Sequence, residues 1–73
     1  METKLSKIIN KYLGVGTENL KLELKNISKW DSLSHIQLVA EIEIAFNISF
    51  DFEEINTFKS LEDIFNSTKQ KIL

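Results

Sequence analysis

The sequence contains no cysteine, and this absence excludes two classes of structure at once. Without thiols the chain can form neither a disulfide framework nor a thiolate metal site, and its single histidine, His35, cannot assemble a zinc cluster alone. We therefore expect no resident metal. The lack of disulfides fits a reducing compartment, and we expect a cytoplasmic protein.

Proline is also absent and glycine occurs only twice, so capping residues must mark most helix ends. No apolar run approaches the roughly 20 residues that span a bilayer, and the opening METKLSKIINKYLG lacks the apolar stretch of a signal peptide. The length of 73 residues suffices for one small core, which helix-on-helix packing can build without disulfides. We predict a single domain over residues 1–73 that has no membrane span and is monomeric.

Positive charge is scarce in the second half of the chain. Residues 31–66 hold eight acidic side chains and one lysine, Lys59, a net charge of −7, whereas residues 1–30 hold six lysines and three glutamates. An acidic surface repels phosphate backbones and attracts basic partner surfaces, so nucleic-acid binding is disfavoured. The alternative is that these acids only solvate helix faces.

Apolar periodicity predicts three longer helices and one short helix. The first covers residues 3–13 and stops at Gly14, the second covers residues 31–46, and the last follows Ser60, which forms a capping-box pattern with Asp63. The segment SFDFEEINTF is long enough for one or two further helical turns. The fold class is therefore all-α, a small four-helix bundle with a long loop between the first two longer helices. The expected core consists of Leu5, Ile9, Leu13, Leu38, Ile42, Phe46, Ile55, Leu61, Ile64 and Phe65.

The long loop, GVGTENLKLELKNISKW, contains an alternation of leucines at positions 20, 22 and 24 that is typical of a short strand. A lone strand has no ladder partner, and no second strand-like segment is present. We therefore predict an ordered loop that is pinned to the core by these leucines and Ile27.

The helix DSLSHIQLVAEIEIAF has two separate apolar faces when its residues are placed at 100° intervals. One face contains Leu38, Val39, Ile42, Ala45 and Phe46, with His35 among them, and the other contains Leu33, Ile36, Ala40 and Ile44. A helix in so small a domain rarely buries its whole circumference, so we expect one of these two faces to be exposed for a partner. The alternative is full burial beneath the loop and the short helix.

Two interpretations of Ser32 follow from its place at the start of this helix. Asp31 is a good N-cap, because its carboxylate accepts from first-turn N–H groups and is favoured by the helix dipole. Ser32 then occupies the first helical position with a free hydroxyl, and unpaired N–H groups would suit a phosphate or phosphodiester esterified to it. The alternative is an ordinary helix-start serine. Geometry alone leaves both open.

His35 and the adjacent pair Glu53 and Glu54 are the other residues that suggest chemistry. His35 projects about 60° away from Ser32 and has no evident orienting partner, so we interpret it as a packing residue. Adjacent glutamates on a helix diverge, and a cleft between them is not expected in so small a chain. We predict that the chain is not an enzyme.

Taken as a whole, the sequence resembles the acyl carrier proteins and their carrier-domain relatives. The resemblance rests on DSL at 31–33 opening the second helix, a helix ending in Phe46, ISF at 48–50 and EEI at 53–55, and it covers nearly the whole chain. It implies that Ser32 carries a 4′-phosphopantetheine arm, installed from coenzyme A by a phosphopantetheinyl transferase (a holo-acyl-carrier-protein synthase). The thiol of the arm would hold an acyl or aminoacyl group as a thioester, so the sulfur missing from the chain would come from the cofactor.

The resemblance also implies that the second helix docks onto the enzymes that load and transfer the cargo. Apolar residues would make contact while acidic residues meet basic residues of the partner, in a weak and salt-sensitive encounter that permits release. The docking residues implied are Asp31, Leu33, Ile36, Ala40, Glu41 and Glu43.

The sequence departs from the carriers of fatty acid synthesis in several places. Those carriers usually have glycine two residues before the aspartate, where this chain has Lys29, and acidic residues where it has Gln37, Ile44 and Ala45. WDSL is more similar to carriers of specialised pathways, such as surface-polysaccharide, secondary-metabolite or aminoacyl-transfer systems. Trp30 either shields the arm or selects the transferase, or else it closes the core beneath the loop.

A second functional hypothesis comes from another class of protein. The chain could be a helical adaptor or regulatory subunit that uses the acidic and apolar second helix without a prosthetic group. Such an adaptor would tolerate alanine at Ser32, whereas a carrier would not.

Overall fold

The computed structural model describes residues 2–72, and four α-helices account for most of them. They are α1 (Glu2–Leu13), α2 (Ser32–Phe46), α3 (Phe52–Thr57) and α4 (Leu61–Ile72), with a short 3-10 helix (Leu24–Asn26) in the long loop. No β-strand occurs within residues 2–72. The predicted all-α bundle of three longer helices and one short helix is therefore confirmed.

Local sequence signals set the helix ends. Gly14 has a φ of 68° and follows α1 directly, and Asn47, with a φ of 55°, caps the C-terminus of α2. Only glycine and asparagine adopt this left-handed conformation readily, which explains both stops. At the start of α4, Ser60 Oγ accepts from Asp63 N at 3.3 Å while Asp63 Oδ2 accepts from Ser60 N at 3.3 Å, so the predicted capping box is confirmed.

The core lies between α1, the inner face of α2 and α4. α1 runs antiparallel to α2, because Lys4 near its start donates to the Ala45 carbonyl at 2.8 Å and Lys11 near its end reaches Glu41 at 3.1 Å. Apolar residues from all three helices are excluded from water, which is the main driving force for the fold. The buried apolar residues are Leu5, Ile8, Ile9, Leu13, Leu24, Ile27, Leu38, Val39, Ile42, Phe50, Phe58, Leu61, Ile64 and Phe65.

Two residues of the predicted core, Phe46 and Ile55, are only half-buried. Phe46 ends α2, where Lys4 Nζ lies 5.2 Å from its ring centroid, and Ile55 belongs to α3, in which no side chain is fully buried. Phe50 and Phe58, which were not among the predicted core residues, are buried instead. Their rings pack edge to face with centroids 5.4 Å apart on either side of α3.

The leucine alternation in the long loop finds a partner after all, at the start of α4. Leu24 N donates to Lys59 O at 2.8 Å, and the first amides of α4, Leu61 N and Glu62 N, donate to the carbonyls of residues 22 and 20 at 3.1 and 2.8 Å. One antiparallel bridge, between Glu23 and Ser60, results. The loop therefore satisfies amides of α4 that have no intrahelical partner, and burial of Leu24 and Ile27 pins it as predicted.

Candidate functional site

The start of α2 combines a strong cap with an unengaged hydroxyl. Asp31 Oδ1 accepts from Ser34 N at 2.8 Å, and Ser34 Oγ accepts from Asp31 N at 2.8 Å, which completes a reciprocal capping box. Ser32 is the first residue of the helix and is exposed, and its hydroxyl bonds to no other residue within 2–72. The predicted division of roles, in which Asp31 caps the helix and leaves the Ser32 hydroxyl free, is what the geometry shows.

Asp31 places a negative charge next to Ser32 at the start of α2. The hydrogen bonds from the backbone and side chain of Ser34, with a smaller contribution from Leu33 N, lower the pKa of the Asp31 carboxyl below its ordinary value. Asp31 is thus a carboxylate at neutral pH, beside the Ser32 hydroxyl. The Asp31 carboxylate already accepts a hydrogen bond from the Ser34 amide. Fewer first-turn N–H groups are therefore free to bind a phosphate attached to Ser32 than the sequence suggested.

A groove of about 580 Å³ opens beside Ser32, between the start of α2 and α3. Its α2 side consists of Trp30, Ser32, His35 and Ile36. Its α3 side consists of Phe52, Ile55, Asn56 and Phe58. No charged side chain lines it, and its volume lies within the range of about 300–1,000 Å³ that is typical of small-molecule sites. The sequence analysis missed this groove, because its lining comes from segments more than 20 positions apart that no periodic pattern connects.

The inner wall of the groove is a hydrogen-bonded chain of two side chains and one carbonyl. Trp30 Nε1 donates to His35 Nδ1 at 3.1 Å, and His35 Nε2 lies 2.9 Å from Ile55 O. The His35 ring also packs against Trp30 and Phe58, with centroids 5.8 and 6.1 Å apart. His35 is buried, which supports the interpretation of a packing residue, but it does have orienting partners, Trp30 and Ile55 O, that the sequence did not reveal.

The second apolar face of α2 is exposed. Leu33, Ile36 and Ile44 are 65%, 62% and 81% exposed, and Ala40 between them is exposed too. Phe52 of α3, 71% exposed, extends this surface across the mouth of the groove. The alternative of full burial is therefore wrong, and residues 2–72 leave an apolar stripe of α2 without a cover.

The two glutamates proposed for docking are engaged within the molecule. Glu41 Oε1 accepts from Tyr12 Oη at 2.6 Å and from Lys11 Nζ at 3.1 Å, and these contacts lower the pKa of Glu41, Tyr12 contributing most. Glu43 Oε2 accepts from Phe50 N at 2.8 Å and so joins α2 to the segment before α3. Both are half-buried, whereas Asp31 is exposed next to Ser32. Of the proposed docking acids, only Asp31 combines exposure with proximity to the hydroxyl.

Neither a metal cluster nor a membrane-spanning helix occurs in the described part of the chain. Within residues 2–72, no three histidine, aspartate or glutamate side chains come together as ligands, and no helix combines the length and apolar character needed to cross a bilayer. The features that converge at the start of α2 are an exposed serine hydroxyl, a groove and an apolar surface.

The fold has counterparts among solved structures. An acyl carrier protein from Thermotoga maritima superposes with a TM-score of 0.79, at 24% identity, over 96% of this chain and 84% of its own. The solution structure of holo acyl carrier protein from Geobacter metallireducens superposes with a TM-score of 0.82, at 24% identity, over 96% of this chain and 83% of its own. This chain has the fold of the acyl carrier proteins. No family model matches the sequence, so the likeness that the DSL motif suggested is established at the level of the fold.

The residues at the start of α2 fit a 4′-phosphopantetheine arm in the acyl-carrier fold. Ser32 supplies an exposed oxygen that has no competing hydrogen bond to another described residue, and the apolar groove begins at the same residue. The helix dipole favours a phosphodiester there, while the neighbouring Asp31 carboxylate opposes it. The side chain is also exposed at the first helical turn, as attachment by a separate enzyme requires.

Proposed function

We propose that the protein is a non-catalytic carrier whose Ser32 bears a 4′-phosphopantetheine arm. The single observation that supports this most strongly is the exposed and unengaged Ser32 hydroxyl at the first position of α2, in a chain with the acyl-carrier fold. The arm supplies a thiol that holds acyl or aminoacyl groups as thioesters. The residues of the chain present Ser32 to the transferase, hold α2 in place and offer the neighbouring groove.

Docking to the transferase and to the loading enzymes is assigned to the exposed face of α2. Leu33, Ile36 and Ala40 lie on that face within three turns of Ser32, and Asp31 adds a negative charge at its end. Glu41 and Glu43 remain part of the proposed surface, but each already has an internal partner, so their contribution to docking is expected to be smaller. The interface is small and partly charged, which favours brief encounters that salt weakens.

The pathway is proposed to be a specialised one in the cytoplasm. The observation behind this is Trp30, which stands directly before Asp31 and forms part of the groove wall, so the WDSL variant changes the site itself. Trp30 packs against the core and bonds to His35, which supports its role in closing the core, and its place in the groove wall leaves shielding of the arm or selection of the transferase as a proposal.

The test is to incubate the purified protein with coenzyme A and a promiscuous phosphopantetheinyl transferase and to measure the intact mass. We expect the wild-type protein to gain one arm and Ser32→Ala to gain none, with the free energy of unfolding changed by less than about 0.5 kcal/mol because the position is exposed. Ser28→Ala is the matched control, since Ser28 is an exposed serine in the preceding loop, and it should be modified like the wild type. An arm on Ser32→Ala, or none on the wild type, would overturn the assignment.

The adaptor hypothesis keeps one observation in its favour. The exposed apolar stripe continues to Ile44, about 18 Å along the helix axis from Ser32, so much of it lies outside the immediate surroundings of the hydroxyl. An adaptor would bind its partner equally well with alanine at Ser32, so a partner isolated from the native source and tested against both variants separates the two functions.

A further inference from the structure

α3 is the least firmly held of the four helices. It has six residues, and none of its side chains is fully buried. Its contacts with the rest of the bundle include the ion pair of Glu54 with Lys71 at 2.8 Å, the hydrogen bond of His35 with Ile55 O, and the half-buried Ile55 side chain. Both partners of the ion pair are partly exposed, so that pair contributes little. His35 is the anchor of α3 on the groove side.

The chemistry of the atoms involved determines which nitrogen of His35 accepts a hydrogen bond and which donates one. The Trp30 indole N–H can only donate, so His35 Nδ1 must accept, and the neutral ring then carries its proton on Nε2. That proton is donated to Ile55 O at 2.9 Å. One histidine therefore joins the loop before Ser32, the first turns of α2, and α3, with both ring nitrogens satisfied.

The carbonyl that His35 engages is one that α3 cannot satisfy by itself. α3 ends at Thr57, and the amide four residues after Ile55, that of Lys59, donates instead to Asp63 Oδ2 at 2.9 Å. Ile55 O thus has no intrahelical donor, like the other carbonyls of a last helical turn. Loss of His35 would remove the side-chain donor of this carbonyl and, with it, a direct bond between α2 and α3.

We propose that Trp30 and His35 determine the size of the cargo that the groove accommodates, because they latch α3 to the start of α2. The inference rests on the proposed function for its cargo. α2 and α3 form opposite walls of the groove, so a cargo that is too large for the groove must separate them and break the bond from His35 to Ile55 O. A small cargo leaves the latch closed.

The latch is tested first on the protein without an arm. His35→Phe keeps a ring of similar shape and removes both hydrogen bonds, and we expect the amides of residues 55–57 to exchange about fivefold to tenfold faster while those of α1 and α4 are unchanged. Trp30→Phe removes only the indole donor and should give a smaller increase at the same amides, and it keeps the test decisive if His35→Phe fails to fold. Thr57→Val is the matched control, because it removes the bond from Thr57 Oγ1 to Glu54 O at 2.7 Å without touching the latch. Equal acceleration in α1, α3 and α4, or none in α3, would overturn the latch.

The cargo is then tested with a series of acyl groups of increasing length, transferred together with the arm from acyl-coenzyme A. Trp30 is the only tryptophan of the chain, so its fluorescence reports on the latch without a label. In the wild type we expect acetyl and butyryl cargo to leave the emission unchanged and octanoyl and dodecanoyl cargo to shift it. In His35→Phe the emission should already be shifted before loading and should not respond to length. The same length dependence in both proteins would overturn the inference.

Intact mass keeps this failure separate from failure of the proposed function. Suppose that the arm is attached to Ser32 but the fluorescence does not depend on cargo length. The carrier assignment is then supported, and the proposed role of Trp30 and His35 in selecting cargo is wrong. If no arm is attached to Ser32, the carrier assignment and the cargo selection fall together, and the exchange rates of α3 still decide whether the latch exists.

Discussion

The two apolar faces of α2 have similar side chains and opposite environments. On the inner face Leu38 and Ile42 are fully buried, whereas on the outer face Leu33, Ile36 and Ile44 remain at least 62% exposed. α1 and α4 cover the first face, and no element of residues 2–72 covers the second. Hydrophobicity alone therefore does not assign a role, since the inner face holds the fold together while the outer face stays exposed beside Ser32, where we propose that it serves in recognition.

The largest effect that separates the two faces is expected from truncation to alanine. Leu38→Ala removes a fully buried side chain and should lower the free energy of unfolding by about 2–5 kcal/mol, a large share of the stability of so small a domain. Ile36→Ala removes a mostly exposed side chain and should change it by less than about 0.5 kcal/mol. Urea denaturation measures both, and similar losses at the two positions would contradict the division of faces.

A smaller effect is expected at Glu43, which lies between the two faces. Glu43→Ala deprives Phe50 N of a charged acceptor at 2.8 Å and should lower the free energy of unfolding by about 1–3 kcal/mol, because Phe50 is buried. Glu53→Ala, at an exposed position of α3, is the control and should have almost no effect. If Glu43→Ala were as stable as the control but lost binding to partner enzymes, Glu43 would be a docking residue rather than a structural one.

Acid should weaken the contacts of the Asp31 and Glu41 carboxylates on α2 before it affects the apolar core. The pKa values of Asp31 and Glu41 are lowered in the folded protein, Asp31 mainly by the Ser34 amide and Glu41 mainly by the Tyr12 hydroxyl. Each carboxylate therefore stabilises the fold at pH values above its unfolded pKa, near 4, and this stabilisation is lost as pH falls through the lower folded values. We expect the urea midpoint to decrease once the pH is below about 4, and to decrease less steeply with pH in Asp31→Asn. If the variant had the same pH profile as the wild type, the Asp31 cap would contribute nothing to the pH dependence of stability.

The smallest effect on stability, with a clear effect on recognition, is expected on the outer face itself. Leu33→Ser and Ile36→Ser should leave the urea midpoint nearly unchanged and lower the kcat/KM of the transferase by about fivefold to tenfold, since apolar contacts next to Ser32 are lost. Ile44→Ser is the matched control, because Ile44 is even more exposed than Leu33 and Ile36 but lies about 18 Å from Ser32. An equal loss for Ile44→Ser would extend the docking surface along the whole helix.

The parts of the fold that the sequence predicted depend on local signals. Gly14, the cap at Asp31 and the box of Ser60 with Asp63 lie within a few residues of the helix ends that they define, so spacing alone located them. The two faces of α2 followed from the same helical periodicity, and the exposed position of Ser32 followed from the cap.

The parts that escaped prediction depend on contacts between distant segments. The leucines of the long loop pair with the start of α4, about 40 positions away, and no strand pattern marks that partner. Ile55 was assigned to the core from its apolar character, but α3 is too short and too peripheral to bury it. The bonds from Trp30 to His35 and from His35 to Ile55 O form only once α2 and α3 are packed together, so a lone histidine in the sequence could not reveal them.

The central claim is tested most directly by the mass of the tryptic peptide that contains Ser32, taken from protein purified from its native source. The account predicts a fraction of that peptide carrying one phosphopantetheine arm on Ser32, with fragmentation excluding its neighbour Ser34. A peptide that is wholly unmodified in protein active in its own pathway, or an arm on any of the other serines, would contradict it.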